Sequence, residues 1–222
     1  MSITANLYNA AGWLHGNTTI PASPNPYPIT EGVVVSCPGN VSTDAYLVLD
    51  MHTFLFSAMQ SSSFTLSTHG LENEALKYPL IELISGQVKV TKNATRAAQL
   101  LDPTQNFLLT FLIRVKTAGT VTGSKGTIFT VSRGQLGQGM TTVIDVIDDE
   151  VSVTYRTTTN LGNVINDSQK LVVNDQPFPI AEIDRYGNII KPQKVMDALV
   201  AQILADANAV SADGQASPRK RR

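Results

Sequence analysis

Short runs of β-branched and aromatic residues, separated by turn residues, recur along the chain, and no helical pattern interrupts them. The first three runs are GVVVSC, AYLVLDMHTFLF and SSFTLST, between residues 32 and 68. Runs of this length, bounded by Gly, Pro, Asn and Ser, favour a β-sheet protein over alternating βαβ units. We therefore predict a mainly β fold, with an antiparallel sandwich, barrel or solenoid-like body over residues 31–190.

The second half of this body repeats the same pattern. Val151, Val153 and Tyr155 alternate with polar residues, which is typical of a half-buried strand. FLLTFLIRVKT, residues 107–117, is apolar almost throughout and indicates a central strand. Ser85-Gly86 lies between two alternating apolar runs and predicts a hairpin turn there. RGQLGQG, residues 133–139, predicts a second hairpin loop.

Residues 1–30 are rich in Asn, Thr and Pro and end in IPASPNPYPIT. Closely spaced prolines exclude helix and favour extended backbone. We predict an extended N-terminal arm that lies on a neighbouring subunit, with Trp13, Leu14 and Tyr27 as its anchors. The alternative, that the arm packs back on its own β body, stays open.

The chain ends with one amphipathic helix and a tail. Between Pro192 and Asn208, apolar residues follow helical spacing, and Pro192 is compatible with a helix start. We predict a helix over residues 191–210 whose Leu199 and Ile203 face a packed surface. Residues 211–222 form a polar tail that ends in a basic cluster, Arg219, Lys220, Arg221 and Arg222. This cluster is either a solvated end of the tail or a salt-dependent contact with nucleic acid, and both alternatives stay open.

Composition limits the partners of the chain. Its formal net charge is −1 with 42% hydrophobic and 16% charged residues, so the whole molecule offers no field that gathers nucleic acid or anionic lipid. The N-terminus lacks the basic start and apolar run of a signal peptide, and no apolar stretch has the length of a membrane helix. We expect no membrane partner.

Four segments of the second half carry a family resemblance: PLIELISGQVKV, the strand opening GTIFTV at residues 126–131, TTVIDVIDDEVSVTYRT and LVVNDQ. Together they resemble a FecR-type domain. Such domains are periplasmic β-rich modules of bacterial sigma-regulator proteins. The resemblance covers about residues 80–176 and implies a non-catalytic β module that binds protein. The helical segment and membrane anchor that precede the domain in FecR-type regulators have no counterpart in this sequence. The resemblance carries over no site residue.

The sequence contains no recognisable catalytic or metal-binding motif. His15, His52 and His69 have no partners at metal-ligand spacing, and Cys37 has no local base. GSKG, residues 123–126, has the wrong order for a phosphate loop and precedes a strand. The acidic turn Asp148-Asp149-Glu150, with Asp145, lacks the ligand spacing of a calcium loop. We therefore expect no catalytic residue, no metal and no cofactor.

These features together predict a non-enzymatic assembly protein. An extended arm, an amphipathic terminal helix and a basic tail are parts that gain order by lying on neighbouring subunits. We expect a structural protein of a large complex, bound to copies of itself and to other proteins. A phage virion component of the tail, neck or capsid is the specific form of this expectation, in the virion or the host cytoplasm. The alternatives are a FecR-like binding or regulatory module and a hydrolase whose site residues meet only in space.

Overall fold

The computed structural model describes residues 4–49, 52–70, 77–92, 113–124 and 127–192. In these residues the chain forms a 16-stranded mixed sheet, accompanied by one short 3-10 helix at Ala58–Gln60. The predicted mainly β class is confirmed.

The strands follow in chain order. They are β1 (Thr4–Tyr8), β2 (Leu14–His15), β3 (Thr18–Thr19), β4 (Tyr27–Thr30), β5 (Val34–Ser36), β6 (Ala45–Leu49), β7 (His52–Phe56), β8 (Ser63–Gly70), β9 (Lys77–Lys92), β10 (Ile113–Lys116), β11 (Thr120–Ser124), β12 (Ile128–Leu136), β13 (Gly139–Asp148), β14 (Glu150–Thr158), β15 (Val164–Val172) and β16 (Phe178–Ala181).

Strand β9 joins the two halves of the sheet. Its first half pairs with β8 and, in parallel, with β10, whereas its second half pairs with β7 and β12. One half therefore runs β4-β1-β6-β7-β9-β12-β13-β16, and the other runs β3-β2-β5-β8-β9-β10-β11-β14-β15. Every strand pair of the described residues is antiparallel except β9 with β10. Over these same residues the sheet is not closed, since both halves end in strands with a free edge.

The predicted hairpin at Ser85-Gly86 is wrong, because β9 continues through both residues. Gly86 adopts a φ of +84°, and a Cβ atom at this position would lie 2.5 Å from the Cα of Ser62. A positive φ at one residue redirects the strand without reversing it. The chain therefore bends at Gly86, and the same strand serves both halves of the sheet.

Residues 4–30 are part of the sheet and do not form the extended arm that the sequence predicts. Strand β1 lies between β4 and β6, with Leu7 opposite both Tyr27 and Leu47. The prolines occupy the turn after β3 and an edge position in β4, where a missing N–H costs no sheet hydrogen bond. This is the alternative that the sequence left open, with the segment packed on its own body.

The two halves of the sheet share one hydrophobic core. The Phe56 ring of β7 stacks on the Phe64 ring of β8 with their centroids 3.6 Å apart. Complete burial of one such side chain contributes about 2–3 kcal/mol to the free energy of folding. Among the residues that the structure describes, the largest fully buried side chains are Trp13, Phe54, Phe56, Phe64, Phe129, Leu7, Ile20, Ile29, Leu47, Leu66, Ile81 and Leu83.

The predicted C-terminal helix over residues 191–210 and the tail over residues 211–222 lie outside the described residues, apart from Lys191 and Pro192. Most of the predicted central strand at residues 107–117 is also outside them, but its end forms β10, between β9 and β11. Within the described residues, no helix has the length and apolar character needed to cross a membrane.

Candidate functional site

The structure places the predicted partner-binding residues in different surroundings. Trp13 is fully buried, and its Nε1 donates a hydrogen bond to the backbone oxygen of Thr43 at 3.0 Å. Its side chain therefore belongs to the core and cannot anchor a partner while this fold is intact. The sequence pattern could not show this, because burial of the Trp13 side chain depends on tertiary contacts such as the one with Thr43.

The other two proposed anchors are half-buried. Leu14 lies in β2 opposite Thr19 and Ser36, and Tyr27 packs edge-on against the ring of His15 with centroids 5.7 Å apart. The remaining predicted contact residues lie outside the described residues and stay predictions. These are Leu199, Ile203, Arg219, Lys220, Arg221 and Arg222.

The titratable residues that the sequence singled out are dispersed. His52 is buried in β7, His15 is half-buried in β2, and Cys37 is buried after β5. Burial raises the pKa of the Cys37 thiol, and the charge of Asp44 raises it further, so the reactive thiolate is disfavoured. No group of three or more His, Cys, Asp or Glu side chains in the described part of the chain could hold a metal ion.

A polar cluster lies inside the protein around Glu182, just after β16. Arg133 Nε and Nη2 donate to the two carboxylate oxygens of Glu182 at 2.6 and 2.7 Å, and Thr142 Oγ1 donates at 3.0 Å. Arg133 Nη1 also donates to the backbone oxygen of Ile84. The carboxylate is therefore held by three donors. This arrangement satisfies the buried carboxylate with donors from the protein and fixes its position.

The predicted RGQLGQG loop is confirmed as a hairpin, but it is shorter than expected. Strand β12 extends to Leu136 and β13 begins at Gly139. Arg133 consequently lies within β12, where it meets Glu182 49 residues away in the sequence. No local pattern indicates such a pair, so sequence reasoning missed it.

Four strands lie at the ends of the two halves of the sheet in the described residues, and of these four only β15 is suited to pair with another strand. β3 has 2 residues, while β4 and β16 have 4 each and contain Pro28 and Pro179. Proline lacks the N–H that a strand partner needs. β15 has 9 residues and no proline. A long, exposed edge without proline can accept a further strand.

The direction of the β15 backbone groups follows from its ladder with β14. Val173 donates to Asp149 and Thr159 donates to Asn163, which continue this ladder at both ends. Odd-numbered residues of β15 therefore bond to β14, and even-numbered ones point their N–H and C=O groups to the free edge. The outward residues are Val164, Asn166, Ser168, Lys170 and Val172.

Two carboxylates cover part of this edge. Asp167 Oδ1 accepts the outward N–H of Ser168 at 2.8 Å, and Asp175 Oδ2 accepts that of Val172 at 2.8 Å. A local side-chain acceptor of this kind competes with an incoming strand for the backbone donor. The two aspartates therefore act as caps on the edge of β15.

Asp167 also connects the edge to the face of the sheet. Its Oδ2 accepts the hydroxyl of Tyr155 at 3.2 Å, and the Tyr155 ring packs edge-on against Phe178 with centroids 5.9 Å apart. Burial raises the pKa of Tyr155, and the charge and hydrogen bond of Asp167 raise it further. The hydroxyl therefore stays protonated and holds Asp167 in its capping position.

Both ends of β15 carry exposed apolar side chains. Ile165 is 43% exposed and Val172 is 44% exposed, whereas Leu171, on the same face as Ile165, is only 2% exposed and joins the core. Leu161, in the turn before β15, is 87% exposed. We define the outward groups and exposed side chains of residues 164–172 as the β15 edge. It is the candidate functional site.

A small depression of about 40 Å³ lies elsewhere, between the end of β1 and the proline-rich turn before β4. Its lining includes Asn9, Asn25 and Tyr27, and Asn25 Oδ1 already accepts the backbone N–H of Asn9 at 3.2 Å. It has the volume of one or two water molecules and is far smaller than a pocket for an organic ligand.

No protein-family model, no curated protein sequence and no solved structure matches this chain. The resemblance to FecR-type domains therefore stays a prediction.

Proposed function

We propose that this chain is a non-enzymatic structural protein that takes part in a larger assembly through strand pairing at the β15 edge. The observation that carries this proposal is the 9-residue edge strand without proline, whose two ends expose Ile165 and Val172. Strand addition gives affinity through backbone hydrogen bonds and specificity through alternate side chains. Such an edge is a hazard in a monomer and is useful in a protein that assembles.

A component of a phage virion, in the tail, neck or capsid, is the specific form of this proposal. The sequence features that support it are the predicted amphipathic helix and the basic cluster after residue 210. Segments of this kind bind neighbouring subunits in assemblies.

Light scattering coupled to size-exclusion chromatography tests the proposal on the full chain. We expect a mass above that of one 23.9 kDa chain, with a proportion of oligomer that rises with protein concentration. A single monomeric species at all accessible concentrations would contradict the proposal.

A second candidate function is a FecR-like binding module that accepts a peptide at the same edge. The segment that resembles FecR-type domains, about residues 80–176, includes all of β15. This function requires a monomer that binds a foreign strand. A monomeric mass in the same experiment would therefore favour it over the assembly protein.

A further inference from the structure

We infer that the partner of the β15 edge is β15 of a second copy of this chain, paired antiparallel about a two-fold axis at Ser168. The inference rests on the proposed assembly function and names its first contact. Three observations carry it: the symmetry of the β15 sequence, the direction of its backbone groups, and the position of Ile165 relative to the core.

The sequence of β15, VINDSQKLV, is nearly symmetric by chemical class, with two apolar residues at each end and five polar residues between them. Antiparallel pairing about Ser168 places Val164 opposite Val172 and Ile165 opposite Leu171. The polar centre then meets the polar centre, and no two like charges lie directly opposite each other. Cross-strand pairs of matched character stabilise a sheet, whereas a register slip would place polar groups opposite apolar ones.

The backbone geometry allows this register. A two-fold axis perpendicular to the sheet keeps each side chain on its own face, so residues that face each other must both be even-numbered or both odd-numbered. The outward groups of β15 belong to even-numbered residues. Pairing about Ser168 joins even-numbered residues to even-numbered ones and odd to odd, the even pairs exchange the backbone hydrogen bonds, and Ser168 exchanges both of its own with its symmetry mate.

The same register extends the hydrophobic core across the contact. Within one chain, Val151 lies opposite Leu171, and both belong to the core. The pairing places the exposed Ile165 of the second copy next to Leu171. By symmetry this happens twice in the dimer, so two exposed isoleucines become covered.

The Asp167 and Asp175 caps set the affinity of this contact. Asp167 occupies the N–H of Ser168, which is the central donor of the pairing. The carboxylate must release this N–H before the strands join, so the cap opposes self-association. Asp167→Ala frees the donor and should strengthen the dimer.

Sedimentation velocity of the full chain tests the inference with two variants of one residue. Ser168→Pro removes the outward N–H without touching the β14 ladder, and we expect it to weaken self-association by about tenfold or more. Ser168→Ala keeps the N–H and should leave self-association within about twofold of the wild type. Circular dichroism melts of both variants check that the fold is retained.

Disulfide trapping locates the contact independently of stability. In the proposed register the Cα atoms of Ser168 and its mate lie about 5.5 Å apart, within disulfide range, so Ser168→Cys should give a covalent dimer on oxidation. Asn166→Cys is also exposed, but its mate is offset along the strand and lies roughly 14 Å away, so it should not cross-link. The wild-type chain, whose Cys37 is buried, gives the background level.

The outcomes separate this inference from the proposed function. Loss of the dimer in Ser168→Pro, together with selective cross-linking at residue 168, supports both. An oligomer that persists in Ser168→Pro and does not cross-link at residue 168 overturns the β15 contact, and of the proposed function it leaves standing only the role in a larger assembly. A wild-type chain that stays monomeric overturns both.

Discussion

Arg133 and Glu182 form a buried ion pair in which two guanidinium nitrogens lie 2.6 and 2.7 Å from the two carboxylate oxygens. The pair joins β12 to the segment that follows β16. Arg133 is 5% exposed and Glu182 is fully buried. Water therefore cannot replace either partner if the other is removed.

We predict that Glu182→Gln lowers the free energy of unfolding by about 3–5 kcal/mol, because it leaves the buried Arg133 without its counter-charge. Urea denaturation measures this loss. Lys170→Met is the matched control, since it breaks the exposed pair between Lys170 and Glu150, with nitrogen and oxygen 2.9 Å apart. The control should cost less than about 1 kcal/mol. Equal losses in the two variants would mean that the buried pair has no special role.

The apolar double variant Arg133→Met with Glu182→Leu extends this test. It removes both charges together, so neither is left unpaired. We expect it to be more stable than Glu182→Gln alone, because well-packed apolar side chains often replace a buried ion pair without loss. A double variant that loses the sum of both single effects would show that the hydrogen bonds to Thr142 and Ile84 dominate.

Gly86 is predicted to be intolerant of any side chain. Gly86→Ala must adopt a φ of +84° and places its Cβ 2.5 Å from the Cα of Ser62, so backbone has to move. Gly32 has a similar φ of +81°, but a Cβ added there would meet no atom within 4 Å, which makes Gly32→Ala a control for the dihedral strain alone. We expect strain alone to lower the free energy of unfolding by about 1–2 kcal/mol in Gly32→Ala, and we expect a larger decrease in Gly86→Ala. Equal losses would argue against a close approach at Ser62.

A substitution at Trp13 tests whether residues 4–30 belong to the core or form an arm. Because its side chain is fully buried, we expect Trp13→Ala to cost about 3–5 kcal/mol of folding free energy. Leu14→Ala, at the adjacent half-buried position, should cost clearly less. A chain that begins at Thr30 lacks β1, which pairs with both β4 and β6, and should fail to give a cooperative melt. A normal melt of that chain would restore the arm interpretation.

The sequence predicts local structure well and long-range structure poorly, and β14 and β9 illustrate the contrast. In β14 the alternation of Val151 and Val153 with polar residues matches the observed burial, because one face meets the core and the other meets solvent. In β9, Ser85-Gly86 has the local chemistry of a turn, but four neighbouring strands hold the chain extended on both sides. Tertiary pairing therefore overrides a local turn signal at Gly86.

The candidate site was predictable only in part. The half-buried character of the β14 region follows from its sequence period, but the edge position of β15 depends on which strands pair, and this is a property of the whole sheet. The capping role of Asp167 is likewise invisible in the sequence. It arises because Ser168 happens to point its N–H outward and because Tyr155 lies across the ladder from Asp167.

His15 gives the protein a predicted sensitivity to acid. Burial lowers the pKa of His15 below its ordinary value of 6.5, so the folded state favours the neutral ring. The stabilisation that the neutral ring gives is therefore fully present above the pKa of His15 in the unfolded chain. It is lost as the pH falls through the pKa of His15 in the folded protein. We expect the free energy of unfolding to decrease below about pH 6.5. His15→Phe keeps an aromatic ring beside Tyr27 and should reduce this decrease, as chemical denaturation across the pH range would reveal.

Tyr155 and Asp167 make a prediction at the opposite end of the pH scale. Burial raises the pKa of Tyr155 above its ordinary value of 10, and the charge and hydrogen bond of Asp167 add to the rise. Asp167→Asn removes the charge but not the burial, so we expect the pKa to fall part of the way toward 10. The ultraviolet absorbance of tyrosinate, taken as the difference from a Tyr155→Phe variant, follows this ionisation.

The control for this titration is Asp175→Asn, which removes a carboxylate from the same edge without contact to Tyr155. It should leave the Tyr155 pKa unchanged. Because folding raises the pKa of Tyr155, the stabilisation that the protonated hydroxyl gives is complete below the pKa of Tyr155 in the unfolded chain. It is lost as the pH rises through the pKa of Tyr155 in the folded protein, and this loss should be smaller in Asp167→Asn. If Asp167→Asn titrates like the wild type, then Tyr155 does not hold Asp167 in solution, and the cap on Ser168 depends on Asp167 alone.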